Sequence, residues 1–318
     1  MKKKELVAIA CLFCFCSCRS EREIPTPDRQ ANLFPIQFTI DLQKEELPFP
    51  ETKSIPGLDI PEPIPQNPDN EEDPSTPDID PDNLYDRIDY IVYQNGEPDI
   101  LVKHKQFTPQ DPDFTIIYDS LPSGNYHICF LAHSSKDISV SGQTALFGKV
   151  SDTFHYFLAQ EIQAGERIIK DVTLQRIVSK IEFRSTDAVP KDLKSFTIDV
   201  SNYQNKIDLT TGKGISQDIS YTQTDTFEDS DIGQTKHSHS FLTFVPAKEH
   251  TLNVHLAAKN QIDEITRERE ENDILPFINR VIRYTGILYT PKVSDDTFTL
   301  DVLNDGKWDS TIDNELKD

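Results

Sequence analysis

The sequence has 318 residues, 36% of them hydrophobic, with 32 Lys and Arg against 54 Asp and Glu and a formal charge of −22. So acidic a chain does not suit nucleic acid, which rewards clustered Lys and Arg, and it does not suit electrostatic docking on anionic lipid. A disulfide framework is excluded as well, because four of the five cysteines crowd into the first eighteen residues.

The chain opens Met1-Lys2-Lys3-Lys4, and an apolar run follows from Leu6 to Phe15. The run is too short to cross a bilayer as a helix and fits a signal-peptide core. It ends in Phe15-Cys16-Ser17-Cys18. A lipoprotein signal needs a small residue just before the modified cysteine and an apolar one two places earlier. Ser17 and Phe15 meet this for Cys18. Cys14 and Cys16 each follow a phenylalanine, and Cys11 lies too early. Residues 1–17 therefore read as a lipoprotein signal peptide, with Cys18 as the lipidation site carrying palmitate-type acyl chains. Cleavage there removes a net +2 and takes the charge from −22 to −24. Cys129 is left without a thiol partner, so an exported chain must rely on packing rather than on disulfides. The acidic end, Asp309 to Asp318, carries no apolar tail and no sorting signal, which points to a two-membrane cell.

Every strong periodic signal after Cys18 has period two. Ile36, Phe38, Ile40 and Leu42 alternate with polar residues, as in a half-buried strand. From Phe49 to Asn83 the chain is rich in Pro, Asp and Glu, with no Lys or Arg between Lys53 and Arg87. This segment cannot bury enough apolar surface to offset its ordering entropy and reads as a disordered insert at about 49–83. Strands are expected next at Leu84–Tyr93, then through an Asn95-Gly96 hairpin at Ile100–Val102, and at Phe114–Tyr118. In Leu121–Ala132, Leu121 plugs a core, Pro122–Gly124 turns, and Tyr126, Ile128 and Phe130 alternate inward. Val172–Gln175 ends this half. A second series runs through Ile177–Phe183, Ser195–Val200, Ser240–Pro246, Thr251–Ala258, Arg280–Tyr289 and Thr297–Val302. Gln261–Asn272 reads as a helix or charged loop. Short strands separated by turn residues indicate antiparallel sandwiches, one over 18–175 and one over 176–318.

No motif for catalysis, phosphate binding or dinucleotide binding is present, so no catalytic residue, cofactor or metal site is assigned. His237 and His239 would share one face of a strand, but their polar surroundings read as a solvated loop or strand edge. Asp78, Asp80 and Asp82, with Asp86 and Asp89 beyond, resemble the start of a calcium loop. Asn83 stands where that loop needs glycine and Pro81 lies within the turn, so a charged linker is the simpler reading. Arg176, at the boundary between the halves, reads as a structural ion pair rather than a protease site. Tyr90, Tyr126, Phe183 and Trp308 read as core or edge packing rather than as glycan platforms.

The lipobox, the early first strand, RIDYIVYQNGEP from Arg87, LPSGNYHICFLA from Leu121, VTLQRIVSKIEF from Val172, FLTFVPA from Phe241 and NRVIRYTGILY from Asn279 together resemble the fimbrillin-associated anchor family of type V pili. The junction Thr173–Phe183 carries most of that resemblance. Leu-x-x-Gly-x-Tyr at Leu121–Tyr126 is common to many β-modules. The resemblance implies an all-β fold of two tandem transthyretin-like antiparallel sandwiches behind a lipoprotein signal. It also implies a non-enzymatic, lipid-tethered anchor or accessory subunit on the outer membrane, whose partners are neighbouring fimbrial subunits met by strand exchange. The alternative is a surface lipoprotein that binds glycan or a host protein.

Overall fold

Apolar–polar alternation yields strands, and among the described residues every regular element is a strand. The computed structural model describes residues 32–43, 84–97, 99–291 and 297–303. Cys18, the expected insert at 49–83 and Trp308 lie outside the described residues.

The first nine strands are β1 (Leu33–Leu42), β2 (Arg87–Gln94), β3 (Ile100–Phe107), β4 (Ile116–Pro122), β5 (Gly124–His133), β6 (Ile138–Ser141), β7 (Thr144–Phe147), β8 (Thr153–Ile162) and β9 (Ile168–Arg176). Seven of them follow one hydrogen-bonded order, β3-β2-β5-β8-β9-β1-β4. β8 and β9 meet only where Phe154 faces Arg176 and His155 faces Gln175. Around that corner the sheet folds over, so that Ile36, Phe38 and Ile117 of β1 and β4 pack with Ile88, Tyr90, Ile128 and Phe130 of β2 and β5 in one core.

The remaining strands are β10 (Val178–Ser185), β11 (Leu193–Ser201), β12 (Lys206–Asp208), β13 (Ser220–Thr226), β14 (Ser238–Phe244), β15 (Leu252–Asn260), β16 (Ile265–Ile274), β17 (Val281–Gly286) and β18 (Thr299–Leu303). They form sheets ordered β14-β10-β17-β18 and β13-β11-β15-β16. Their neighbour relations repeat those of the first half. β1 is parallel to β9 and antiparallel to β4, just as β10 is parallel to β17 and antiparallel to β14. The order β3-β2-β5-β8 likewise has its counterpart in β13-β11-β15-β16. β18 is the addition, lying antiparallel beside β17.

A three-stranded sheet, β12-β7-β6, joins the halves. Its β6–β7 hairpin covers the second face of β2 and β5, so Ile91, Tyr93, Cys129 and Leu131 belong to the core that also holds Phe183, Phe196 and Phe244. This explains why Tyr90–Tyr93 reads as a continuous apolar run. A strand buried on both faces has no polar side to alternate with. The expected inward set Tyr126, Ile128 and Phe130 is buried, and so is Leu252, Val254 and Leu256. The free thiol of Cys129 is buried too.

The segment expected as a helix or charged loop at Gln261–Asn272 is a correction. Residues Ile265–Ile274 form strand β16, paired antiparallel with β15. Arginines occupy the inward places, and the Arg269 guanidinium sits 3.3 Å from the Phe298 ring centroid. The aliphatic stems of such side chains cover apolar surface while the sequence reads as charged.

Candidate assembly site

β1 is set apart from the other strands by its place in the chain. It is followed in sequence by residues 43–86 before β2 begins, yet it lies between two partners. Leu33–Thr39 pair with Ile116–Pro122 of β4, and Ile36–Leu42 pair with Ile168–Leu174 of β9. The alternation of its sequence sends Ile36, Phe38 and Ile40 into the core. Phe38 is fully buried and meets the Phe130 ring edge-on at 5.0 Å and the Tyr90 ring at 6.2 Å. Each such side chain stabilises the fold by roughly 1.5–3 kcal/mol when fully buried. The outward row is mixed: Gln37 lies between exposed Tyr118 and exposed Ile169.

Polar contacts fasten the open side of this sandwich. Asp119 of β4 accepts from the Tyr90 hydroxyl at 3.0 Å and from Lys103 Nζ at 2.5 Å, which ties β4 to β2 and β3. Burial and then the nearby Asp119 charge push the Tyr90 phenol well above its ordinary value. Asp89, wholly buried, is held by Nε2 of His104 at 2.7 Å, Nε2 of His133 at 2.6 Å and the Gln106 amide at 3.2 Å. Burial alone would raise its carboxyl, but the two imidazoles hold it below the ordinary value. Asp86 pairs with Arg87. Asp86 and Asp89 thus serve the local fold, while Asp78, Asp80 and Asp82 lie outside the described residues.

The boundary between the halves is built around Arg176. Its guanidinium makes two 2.8 Å bonds to the Asp152 carboxylate, donates to Asn279 Oδ1 at 3.0 Å and lies over the Phe154 ring. This is the structural ion pair the sequence suggested. His155 donates through Nε2 to the Leu209 carbonyl at 2.8 Å, and burial pushes its imidazole below the ordinary value, with that bond opposing. Gly212, at φ +68°, passes so close that an added Cβ would sit 2.7 Å from His155 Nδ1, so a side chain there is barred twice. Phe147 meets Phe244 edge-on at 4.8 Å, and Asn205 donates to the Phe147 carbonyl at 2.6 Å.

His239 corrects the sequence reading, for it is buried rather than solvated. Neutral imidazole fits its partners: Nδ1 donates to Asp225 at 2.6 Å and Nε2 accepts from the Tyr289 hydroxyl at 2.8 Å. Burial lowers its proton affinity, and Asp225 only partly offsets that. It also stacks on Phe196, centroids 4.2 Å apart. The signal that would have placed it is register: His239, Phe241 and Thr243 share one face of β14. His237 lies 5.1 Å from it, ring to ring. Tyr90, Tyr126 and Phe183 are buried, as expected.

The profile of the family described as "Fimbrillin-A associated anchor proteins Mfa1 and Mfa2" matches residues 85–315. No curated protein matches the sequence significantly. Among solved structures, a candidate adhesin from Bacteroides ovatus is 12% identical over 76% of this chain and 83% of its own, with a TM-score of 0.47. The fimbrial anchor protein Mfa2 from Porphyromonas gingivalis is 11% identical over 86% of this chain and 98% of its own, with a TM-score of 0.42. A C-terminally truncated tip fimbrial protein, Mfa3, from the same organism is 10% identical over 69% and 93%, with a TM-score of 0.37.

Proposed function

The chain belongs to the fimbrillin-A associated anchor family, and from that premise we propose that it is the lipid-tethered base of a fimbria, fixed in the outer membrane through acylated Cys18 and joined to its neighbour by strand exchange. It is a fimbrial accessory or anchor subunit, and its family is structural. The two halves, 18–175 and 176–318, serve as tandem sandwich domains of transthyretin-like type, a reading supported by the repeated neighbour relations of their strands.

The observation that carries the reading is the station of β1. It is the first described strand and fills a slot between β4 and β9 with three core side chains. A slot of this kind offers aligned main-chain partners and alternating pockets to any strand of matching pattern. In an anchor, the lipidated N-terminus keeps its own strand in place, so the polymer ends there and stays attached.

The test separates tether from fold. Cys18→Ser, exported through an ordinary signal peptide, is expected to bind the adjacent subunit while fimbriae collect in the culture medium. Two or three acyl chains, at about 0.8 kcal/mol per buried methylene, hold a base that this acidic surface could not hold by itself. Fimbriae that stay on the cells in normal number and length would overturn the anchor reading. Altered adhesion with unchanged fimbriae would support the glycan- or host-binding alternative.

A further inference from the structure

β9 is flanked by β1 along Ile168–Leu174, but β8 reaches its other edge only at Gln175 and Arg176. Among the described residues no strand pairs with that second edge between Ile168 and Leu174. Its counterpart in the other half is β17. There β10 takes one edge, and β18 lies antiparallel along the other from Val281 to Thr285. The second half thus shows what this edge of the fold accepts: a short antiparallel strand closing the side of the sandwich.

We propose that the Ile168–Leu174 edge of β9 docks an extended segment of a second fimbrial subunit, added antiparallel in the place β18 holds beside β17 and selected by an acidic side chain opposite Lys170. The identity of the partner rests on the reading given above, whereas the capacity of the edge to take a strand does not. Register defines the occupant. Ile168, Val172 and Leu174 are buried toward the first core, and Lys170 shares their face, opposite Phe38 of β1. Lys170 is half-buried, and no carboxylate of the described residues pairs with it. On the outer face Ile169 is 60% exposed.

Side chains opposite one another on a sheet face interact directly. The occupant therefore presents apolar side chains opposite Ile168 and Val172, an acid opposite Lys170, and an apolar side chain over Ile169. β18 of a second copy fits poorly. Its Leu300 faces Tyr284 in the β17 pair, and a leucine over Lys170 would desolvate the ammonium without compensation. The occupant is thus a strand of a different subunit. An inward lysine on an edge deters indiscriminate pairing, so one residue both rejects unsuitable strands and selects the right one.

The mature full-length chain can be tested with two synthetic peptides, residues 297–303 of this sequence and the same peptide carrying Leu300→Glu. Amide hydrogen exchange is followed on β9 and on β1. The acidic peptide is expected to slow exchange at residues 168–174 and to bind about fivefold tighter than the unaltered one, which is the worth of a favourable cross-strand charge pair. Lys170→Glu should remove that preference, and exchange in β1 should not change, which separates edge addition from displacement of β1. The proposal is overturned if residues 168–174 already exchange as slowly as β17 in the free chain, if neither peptide slows them, or if Lys170→Glu leaves the preference intact. Peptide docking with failure of the Cys18→Ser shedding test would sink the anchor reading alone.

Discussion

The two halves share one arrangement of strands but treat their leading strand differently. β10 continues from β9 after a single residue, Ile177, and lies in the larger core with Ile181 and Phe183. β1 has the same neighbours, parallel on one side and antiparallel on the other, but forty-four sequence positions, 43 to 86, separate it from β2. The strand order alone therefore does not decide which strand can leave. Chain connectivity bears on it, because a leading strand with a long connection can shift without dragging the next strand along, although β1 would give up both its ladders, to β4 and to β9, in doing so.

The sharpest way to break that comparison is to truncate the matched aromatic rings. Phe38→Ala and Phe183→Ala should each cost about 3–5 kcal/mol. For Phe183→Ala the loss should appear as a lower midpoint of global unfolding. For Phe38→Ala it should appear first as fast amide exchange along β1, with β10 still protected. Equal and global responses in both variants would show that β1 is as integral as β10 and would weaken strand exchange at that slot.

The junction comes next. Arg176→Ala strips Asp152 of its bidentate partner at a site where the arginine side chain is 4% exposed, and breaking a buried pair of this kind costs about 3 kcal/mol or more. The expected sign of that loss is two calorimetric transitions in place of one, since the bond to Asn279 that goes with it joins the halves. A single transition shifted downward would mean that the shared core around Phe147 and Phe244 holds the halves together without it.

How much of this was legible in the sequence depended on what each strand does with its side chains. Ile36–Leu42 and Leu252–Leu256 alternate cleanly because one face is buried and the other wet. β13 was missed because Ser220–Thr226 has almost no apolar residue, and it is held by its backbone rungs to β11. β16 was misread because its inward side chains include Arg267 and Arg269. β8 escaped notice because His155 and Tyr156 interrupt its apolar run, although His155 is buried at the junction. Of the candidate site, Arg176 was foreseen from its place between strands. The free edge of β9 could not be, since an edge exists only once its neighbours are known.

A smaller effect should appear with pH. His155 and His239 both have imidazoles lowered by burial, one at the junction and one in the second core. A native state that resists protonation binds fewer protons than the unfolded chain, so stability is complete above about pH 6.5 and declines as pH falls below it. The melting temperature should therefore drop between pH 7 and pH 5, and His155→Gln and His239→Gln should each flatten part of that drop. A melting temperature constant over this range would mean that both imidazoles are protonated in the folded state at no cost.

The smallest effects come from a second matched pair. His127 on β5 and His255 on β15 occupy counterpart strands. His127 Nδ1 lies 2.5 Å from Asp99 and is 23% exposed, whereas His255 stands 3.9 Å from Asp199 and 3.6 Å from Glu268 at 38% exposure. Asp99 keeps other partners, the Gly96 amide at 3.0 Å and the Gln143 amide at 2.9 Å, and these soften the loss of the imidazole. His127→Ala should cost about 1 kcal/mol, the net worth of a typical hydrogen bond and less than that of a bond to a charged group, because the acceptor stays satisfied. His255→Ala should fall within about ±0.5 kcal/mol, because exposed pairs beyond hydrogen-bond distance contribute little. Urea midpoints of the two variants at pH 7 measure both. If His255→Ala proved the more damaging, β15 would be turned with its polar face inward. Because one residue of slip exchanges the faces of a strand, Leu252, Val254 and Leu256 would then stand in solvent, and the match between β5 and β15 would be lost.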